Sequence, residues 1–431
     1  MMEITKMETT KTQRHKEESE KEPATSMSSG VGGSKPLPTG WRWVKLGEVC
    51  VQDRTIVEAR SPDAANLPYL GLEDVESQTG RILKTSLQPD EGDGVSTTFR
   101  FTPEHVLYGK LRPYLNKVAL PDITGRCTTE MIPLRCGLQI CREFLALILR
   151  RPETVQHAMQ GKTGSRMPRA DMDQLLQLEI PLPPLSEQRR IAGILKEQMA
   201  AVERARAAAR ARLEAVKALP AAFLRQVFPQ PAQPFPTGWR WVRLGEVSKV
   251  YNGTTPTSEA AYWNGGIVWV TPTDLGKLNG IHILSSARSV SPLAVASFNL
   301  SLVPPGTVVL SSRAPIGHLG IASVELCTNQ GCKSFVPSDE IDSFFLYFTL
   351  KSSVADLQRL GSGATFAEVS KSQCENFEIP LPPLSEQKRI AGILRQQMEA
   401  VERARAAAEA ELEAIEALPA ALLRRAFSGA I

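Results

Sequence analysis

The chain has 431 residues, 42% of them hydrophobic and 22% charged, and a formal net charge of +4. That length exceeds one ordinary core and calls for two or more domains, while so small a net charge excludes a polycation that coats nucleic acid unaided. The longest purely apolar run, "FLALIL" at 144–149, is far short of the roughly 20 residues that a membrane span needs.

In chain order, residues 1–34 carry 5 basic and 6 acidic residues and include "KEESEKEP" and "SSGVGGS". They read as a disordered charged tail, with Met27 as a second candidate start. The stretch "LPTGWRWVKLGEV" at 37–49 alternates aromatic and polar residues, as an opening strand does. "REFLALILRRPETVQHAM" reads as helical. Pro181, Pro183 and Pro184 then forbid helix, and Ser186 offers an N-cap with Glu187 in the first turn. From there to Leu219 no proline occurs, and Leu195, Met199, Val202, Arg206, Ala209, Leu213 and Val216 fall on a heptad seam with one polar break. From 191 to 219 such a helix runs about 40 Å at roughly 1.5 Å per residue. Pro220 is expected to kink or restart it.

The second half repeats this order. "FPTGWRWVRLGEV" returns at 235–247, offset by 198, and "EIPLPPLSEQ" at 179 returns at 378, offset by 199. Only four of 31 positions differ between 179–209 and 378–408. "GIVWVTPTDL" and "GTVVLSSRAPIGHLGIASVEL" read as strands broken by Gly and Pro turns, and "IDSFFLYFTLKSSVADLQRL" as helical. Leu394, Met398, Val401, Arg405, Ala408, Leu412 and Ile415 repeat the seam, and Pro419 repeats the proline. Between the shared markers lie two inserts, 50–178 and 248–377, nearly equal in length and with little visible similarity. A constant frame thus holds two variable domains.

The expected fold class is α+β: two α/β domains separated by two long helices that pair as an antiparallel coiled coil, a pseudo-twofold tandem repeat. The domain plan is tail 1–34, first variable domain 35–184, central helix 185–228, second variable domain 229–383 and distal helix 384–431. The seam residues expected to pair are Leu195, Met199, Val202, Leu213, Val216, Leu394, Met398, Val401, Leu412 and Ile415. Arg210, Arg212 and Lys217 of the first helix correspond to Glu409, Glu411 and Glu416 of the second. Three sign reversals in one stretch suit faces that meet each other and disfavour pairing of like helices.

Standard catalytic signatures are absent. "GKTGSR" at 161–166 lacks the first glycine of a P-loop, since Gln156 stands there. No GxGxxG and no Asn/Asp-Pro-Pro-aromatic motif occurs. The histidines at 15, 105, 157, 282 and 318 are scattered, and Pro121–Asp122 with Glu130 lacks the lysine of the common nuclease pattern. Seven cysteines without a C-x-x-C pair read as reduced, mostly buried thiols, and no apolar leader opens the chain, so a cytoplasmic location is expected.

The layout of variable domain, "IPLPPLSEQ" helix, variable domain, "IPLPPLSEQ" helix closely resembles the specificity subunit of type I restriction-modification systems, over about residues 37–431. "YGKLRPYLNKVAL" with "CTTEMIPLR", and "SSRAPIGHLGIA" with "TNQGCKSFVP", resemble two subclasses of that family's target recognition domains. The resemblance implies a non-catalytic subunit. Each variable domain would read one half of a split, asymmetric double-stranded DNA target. The paired helices would set the gap and dock two modification (methyltransferase) subunits. It also implies a separate restriction and translocase subunit, with S-adenosylmethionine, ATP and Mg held by the partners and neither cofactor nor metal in this chain. A rod of about 40 Å slightly exceeds one DNA turn of about 34 Å. The competing readings are a non-catalytic coiled-coil scaffold and a self-sufficient DNA-modifying enzyme.

For DNA contact the first domain offers Lys110, Arg112, Tyr114, Asn116, Lys117 and Arg126, and the acid-free run "GKTGSRMPR" adds Lys162, Arg166 and Arg169. Lys and Arg neutralise phosphates, and Arg or Asn can pair bidentately with a base edge. The second domain offers Ser311, Ser312, Arg313, His318, Asn329, Gln330, Lys333 and Thr365, with the alternative that Asn329 and Gln330 merely form a turn. Trp41, Trp43, Trp239, Trp241, Trp263 and Trp269 are expected in cores rather than stacked on bases.

Overall fold

A computed structural model describes residues 37–428 apart from 60, 86–96, 161, 163, 165, 230–235, 314 and 362–367. The tail 1–34 and the candidate contact Thr365 lie outside the described residues.

The repeated markers build the same small frame twice. Strand Arg42–Lys45 pairs antiparallel with Glu179–Leu182, Val44 opposite Ile180, and Arg240–Arg243 pairs with Glu378–Leu381, Val242 opposite Ile379. Alternation along these strands buries Val44 and Val242 and turns the preceding residue outward. Trp43 and Trp241 are therefore 41% and 49% exposed, contrary to the expectation of core tryptophans, whereas Trp239 packs edge-on against Phe345. The prolines at 181 and 380 sit opposite these tryptophans. A two-stranded ribbon tolerates them because each strand keeps one unpaired side.

The "SEQ" of each motif has a structural use that sequence reasoning missed. Gln188 is fully buried at the start of the central helix. Its Nε2 donates to the carbonyls of Gln139 and Pro183, both at 2.9 Å, and its Oε1 accepts from the Cys141 N–H at 2.9 Å. Gln387 repeats the arrangement with Glu340, Pro382 and Asp342. Each amide clamps the first turn of a long helix to the loop that launches the preceding domain's buried helix. Those launched helices are Arg142–Arg150 and Ser343–Ser352.

The long helices span Leu185–Val227 and Leu384–Phe427. The first begins one residue before the expected Ser186 cap, because the Gln188 N–H already bonds the Pro184 carbonyl at 3.0 Å. Both helices run on through Pro220 and Pro419, where a kink or restart was expected. A proline forfeits one bond to the preceding turn, and downstream packing holds the helix here. Leu224 and Phe228 lie in the second domain's core, with Phe228 against Phe345 at 5.7 Å, and Phe427 packs against Phe144 at 5.2 Å.

The chain divides into two compact units, 1–197 with 420–431, and 198–419. The first holds two four-stranded sheets. One runs in the order Cys50–Gln52, Met131–Cys136, His105–Gly109, Val118–Ala119. The other runs Ile56–Val57, Thr98–Phe101, Gly125–Thr128, Tyr69–Leu70. Leu70, Phe101, Leu107, Cys127 and Met131 fill the space between strands of both. The second unit holds a five-stranded sheet, Ser248–Asn252, Cys332–Pro337, Val308–Ser311, Leu319–Ala322, His282–Ile283. Its three-stranded sheet runs Ser289–Val290, Trp263–Val270, Leu326–Thr328. Parallel pairs interrupt otherwise antiparallel sheets, Leu70 beside Cys127 in the first unit, and Val270 beside Thr328 and Ile283 beside Ala322 in the second.

On the heptad seams Leu195, Val202, Leu213, Leu394 and Val401 are buried, and Met199, Val216, Met398, Leu412 and Ile415 half-buried. Within the second unit the helices run antiparallel: Arg210 meets Glu416 at 3.1 Å and Arg212 meets Glu411 at 2.8 Å. The remaining two sign-reversed residues do not join across the helices. Lys217 bonds Glu214 and Glu409 bonds Arg405, each on its own helix, where an i,i+3 or i,i+4 partner is nearer. The seven cysteines are free, with Cys136 and Cys141 half-buried and the rest buried; burial pushes the Cys50 thiol up to about 12.

Candidate nucleic-acid interface

In each domain two loops meet at one end of a sheet, the one holding His105–Gly109 in the first and the one holding Val308–Ser311 in the second. In the first, the chain leaving His105–Gly109 is stitched to the segment before helix Met172–Leu176. The Ala170 N–H bonds the Lys110 carbonyl at 2.8 Å, and the Arg112 N–H bonds that of Pro168 at 2.7 Å. In the second, the Val369 N–H bonds the Ser312 carbonyl at 2.9 Å, and Arg313 bridges Glu368 as Leu111 bridges Arg169.

A charged latch closes each junction, with its signs exchanged. Arg169 grips Glu130 through Nε at 2.9 Å and Nη2 at 2.8 Å, with Lys110 at 4.0 Å. Its counterpart at the same offset of 199 is Glu368, which receives Arg313 at 2.9 Å and Lys333 at 3.1 Å. Burial works to raise the Glu368 carboxyl, but the hydrogen bonds and charges of Arg313 and Lys333 outweigh it and hold it below its ordinary value. Glu130 and Glu368 were not among the expected site residues. The 199 repeat could have aligned Arg169 with Glu368, although it carries no sign of their partners.

The latch divides the candidate contacts. Arg112, Tyr114, Lys162 and Arg166 are exposed, and the Arg112, Lys162 and Arg166 side chains have no hydrogen-bond or ion-pair partner among the described residues. Arg112 takes a left-handed backbone, φ 52°, at the turn that presents Tyr114, itself 47% exposed. Asn116, Lys117 and Arg126 are committed inward. The Asn116 amide donates to the Arg150 carbonyl at 3.0 Å and Lys117 to the Leu72 carbonyl at 2.6 Å. Arg126 lies under 5% exposed with its guanidinium over the Tyr69 ring at 5.1 Å.

In the second domain Lys333 and Arg313 are occupied by the latch. The Ser311 hydroxyl, fully buried, donates to the Pro315 carbonyl and accepts from the His318 N–H, which makes it a turn staple; Ser312 is buried beside it. Asn329 accepts from the Gly331 N–H at 2.9 Å, as a turn residue does, and the exposed Gln330 bonds the Thr255 hydroxyl. Trp263 and Trp269 pack edge to face at 5.0 Å, with Arg288 stacked on them, a grouping absent from the sequence expectations.

Among the described residues no helix is long and apolar enough to cross a membrane, and no group of three or more His, Cys, Asp or Glu could hold a metal ion.

The family model described as type I restriction modification DNA specificity domain matches residues 38–209 and again 236–414. A type I restriction enzyme MjaIX specificity subunit from Methanocaldococcus jannaschii is 36% identical over 162 residues, covering 37% of this chain and 38% of that protein. The chain therefore spans well under half of that relative in the matched region. A chain from a structure on complex assembly and conformational transition of the type I R-M system superposes with a TM-score of 0.78. It is 28% identical, over 92% of this chain and all of that one. The HsdS subunit from Thermoanaerobacter tengcongensis gives a TM-score of 0.64 at 27% identity, over 93% and 99%.

Proposed function

Because the chain belongs to the type I restriction modification DNA specificity family, we propose that it is the sequence-reading subunit of such a complex, each domain reading one half of a split, asymmetric DNA target. The observation that carries this is the exchanged latch. One frame and one loop junction occur twice, yet the side chains held there differ: Arg112, Tyr114, Lys162 and Arg166 in one copy, Asn329 and Gln330 in the other. Readers of unlike chemistry on like mounts suit two unlike half-sites. The exposed cations of the first domain suit phosphates and guanine, and Asn and Gln suit adenine.

The chain itself is non-catalytic in this reading. S-adenosylmethionine, ATP and Mg are held by modification and restriction subunits. Two modification subunits dock on the repeated frame, where Trp43, Leu185 and Leu219 recur as Trp241, Leu384 and Leu418, all at least 36% exposed. Large apolar side chains exposed at matched positions suit one partner bound twice. The helix pair then sets the gap between the half-sites. With a net charge of +4, the subunit alone binds DNA weakly, and affinity comes in part from the partners.

The test is methylome sequencing with and without this gene. Loss of a split adenine-methylation motif on deletion supports the reading. An unchanged methylome in a strain whose modification subunits are expressed overturns it.

A further inference from the structure

Arg288 is exposed just before strand Ser289–Val290. Its guanidinium carbon lies 3.4 Å from the centre of the Trp263 ring and 5.6 Å from that of Trp269. Both indoles are fixed: Trp263 Nε1 donates to the Thr257 carbonyl at 2.9 Å and Trp269 Nε1 to that of Thr254 at 3.0 Å. The Arg288 backbone is also held, its carbonyl accepting from the Ser286 hydroxyl at 2.7 Å. Among the described residues no carboxylate pairs with Arg288, and its side-chain N–H groups meet no acceptor. This contrasts with Arg169 and Arg313, which are tied to glutamates. Stacking occupies the face of a guanidinium and leaves its edge, with the fork of N–H donors, free.

The place of this group matters as much as its chemistry. Trp269 lies in the parallel register with Cys327, one residue before Val270 and Thr328. Asn329 follows at once, its N–H on the Val270 carbonyl, and the loop that receives the Trp269 indole also carries Thr255, bonded to Gln330. Arg288, Asn329 and Gln330 thus share one end of the three-stranded sheet. The first domain holds a related stack, Arg126 over Tyr69, but there the cation is buried. The Arg288 guanidinium, by contrast, is exposed to solvent.

We propose that Arg288 is a DNA-contacting residue of the second domain, its guanidinium edge meeting two adjacent acceptors on the duplex, with Trp263 and Trp269 as positioning residues. This rests on the reading of the domain as a half-site reader. The two acceptors are guanine O6 and N7 or a pair of phosphate oxygens, and the two sources respond differently to substitution.

The experiment uses the full chain assembled with its modification subunits, as wild type, R288A, R288K and W263A, with assembly checked by size-exclusion chromatography. The readouts are the methylated motif and binding to a duplex carrying the wild-type motif across a salt series. R288A is expected to weaken binding about tenfold or more and W263A to do so less. With a guanine contact, R288K repeats the loss and one position of the second half-site relaxes. With a phosphate contact, R288K stays near wild type and R288A weakens all sequences alike, with a salt slope lower by about 1. Either pattern supports the proposal. R288A with unchanged affinity, salt slope and motif overturns it, whereas a wild-type complex that methylates no split motif overturns the half-site reading instead.

Discussion

Arg212 on the central helix donates to Glu411 on the distal helix at 2.8 Å, and the two occupy the same position of the repeat, 199 residues apart. In an antiparallel pair of like helices, a position meets its own counterpart only at the centre of the pairing. Two identical copies would place like charges there. Exchanging the sign in one copy converts that repulsion into a pair and favours the unlike partner. By the same symmetry Lys217 and Glu409 are the counterparts of Glu416 and Arg210, yet only the latter two join across the helices.

Reversing this centre should be measurable but modest. Both side chains are largely exposed, 65% and 44%, so E411R is expected to cost about 0.5–1 kcal/mol in urea denaturation, more at low salt. The exchange R212E/E411R should recover most of it. A double-mutant cycle with no coupling at low salt would show the two residues to be inert flank charges.

Gln188 and Gln387 should be far less forgiving. Gln188→Ala leaves one backbone N–H and two backbone carbonyls without their partner. A loss of about 2–4 kcal/mol is expected, and Gln188→Glu should lose more, because a carboxylate cannot donate to the two carbonyls. Chemical denaturation checks both variants, and wild-type stability in either would mean that the loop finds other partners.

The latch predicts separable effects on the half-sites. Glu130→Gln keeps the shape but weakens the hold on Arg169, so methylation should fall several-fold through the first half-site while preference at the second is retained. Glu368→Gln should do the converse. Identical motif changes from both variants would point to a shared assembly defect rather than two local latches.

The Glu368 carboxyl sits below its ordinary value of 4.5, held there by Arg313 and Lys333 against the opposing effect of burial. A depressed folded-state value means that its contribution is fully present above the unfolded value and is lost as pH falls through the folded one. Thermal stability of the wild type should therefore drop below about pH 4.5, and Glu368→Gln should flatten part of that drop. Parallel pH profiles for the two proteins would remove Glu368 as a contributor.

The legible part of this protein was the part written in local repetition. The paired "GWRWV" and "EIPL" segments became the two ribbons, and the 4-3 spacing from Leu195 to Val216 became the seam. Burial of Trp43 was misjudged because alternation gives two faces and does not say which of Trp43 and Val44 faces inward. The continuous helices through Pro220 and Pro419 were also not legible, since the packing of Phe228 and Phe427 lies outside the helix.

The candidate interface shows the same division. Lys162 and Arg166 were recognisable as candidate cations of the acid-free run at 161–169, although Arg169 of the same run is held by Glu130. Lys333 carried the same charge but is 4% exposed and paired with Glu368, 35 residues on, while Arg288 found its partners in Trp263 and Trp269. Nothing in residue type or spacing marks such couplings.

The amino-acid sequence by itself determined the twofold plan, the long helices and the unlike character of the two variable domains, because period, proline placement and charge reversal act between near neighbours or aligned copies. Only the tertiary structure decided which donors are free to meet a ligand. A side chain's freedom depends on what folds against it, and here the groups that occupy or release each cation come from distant parts of the chain.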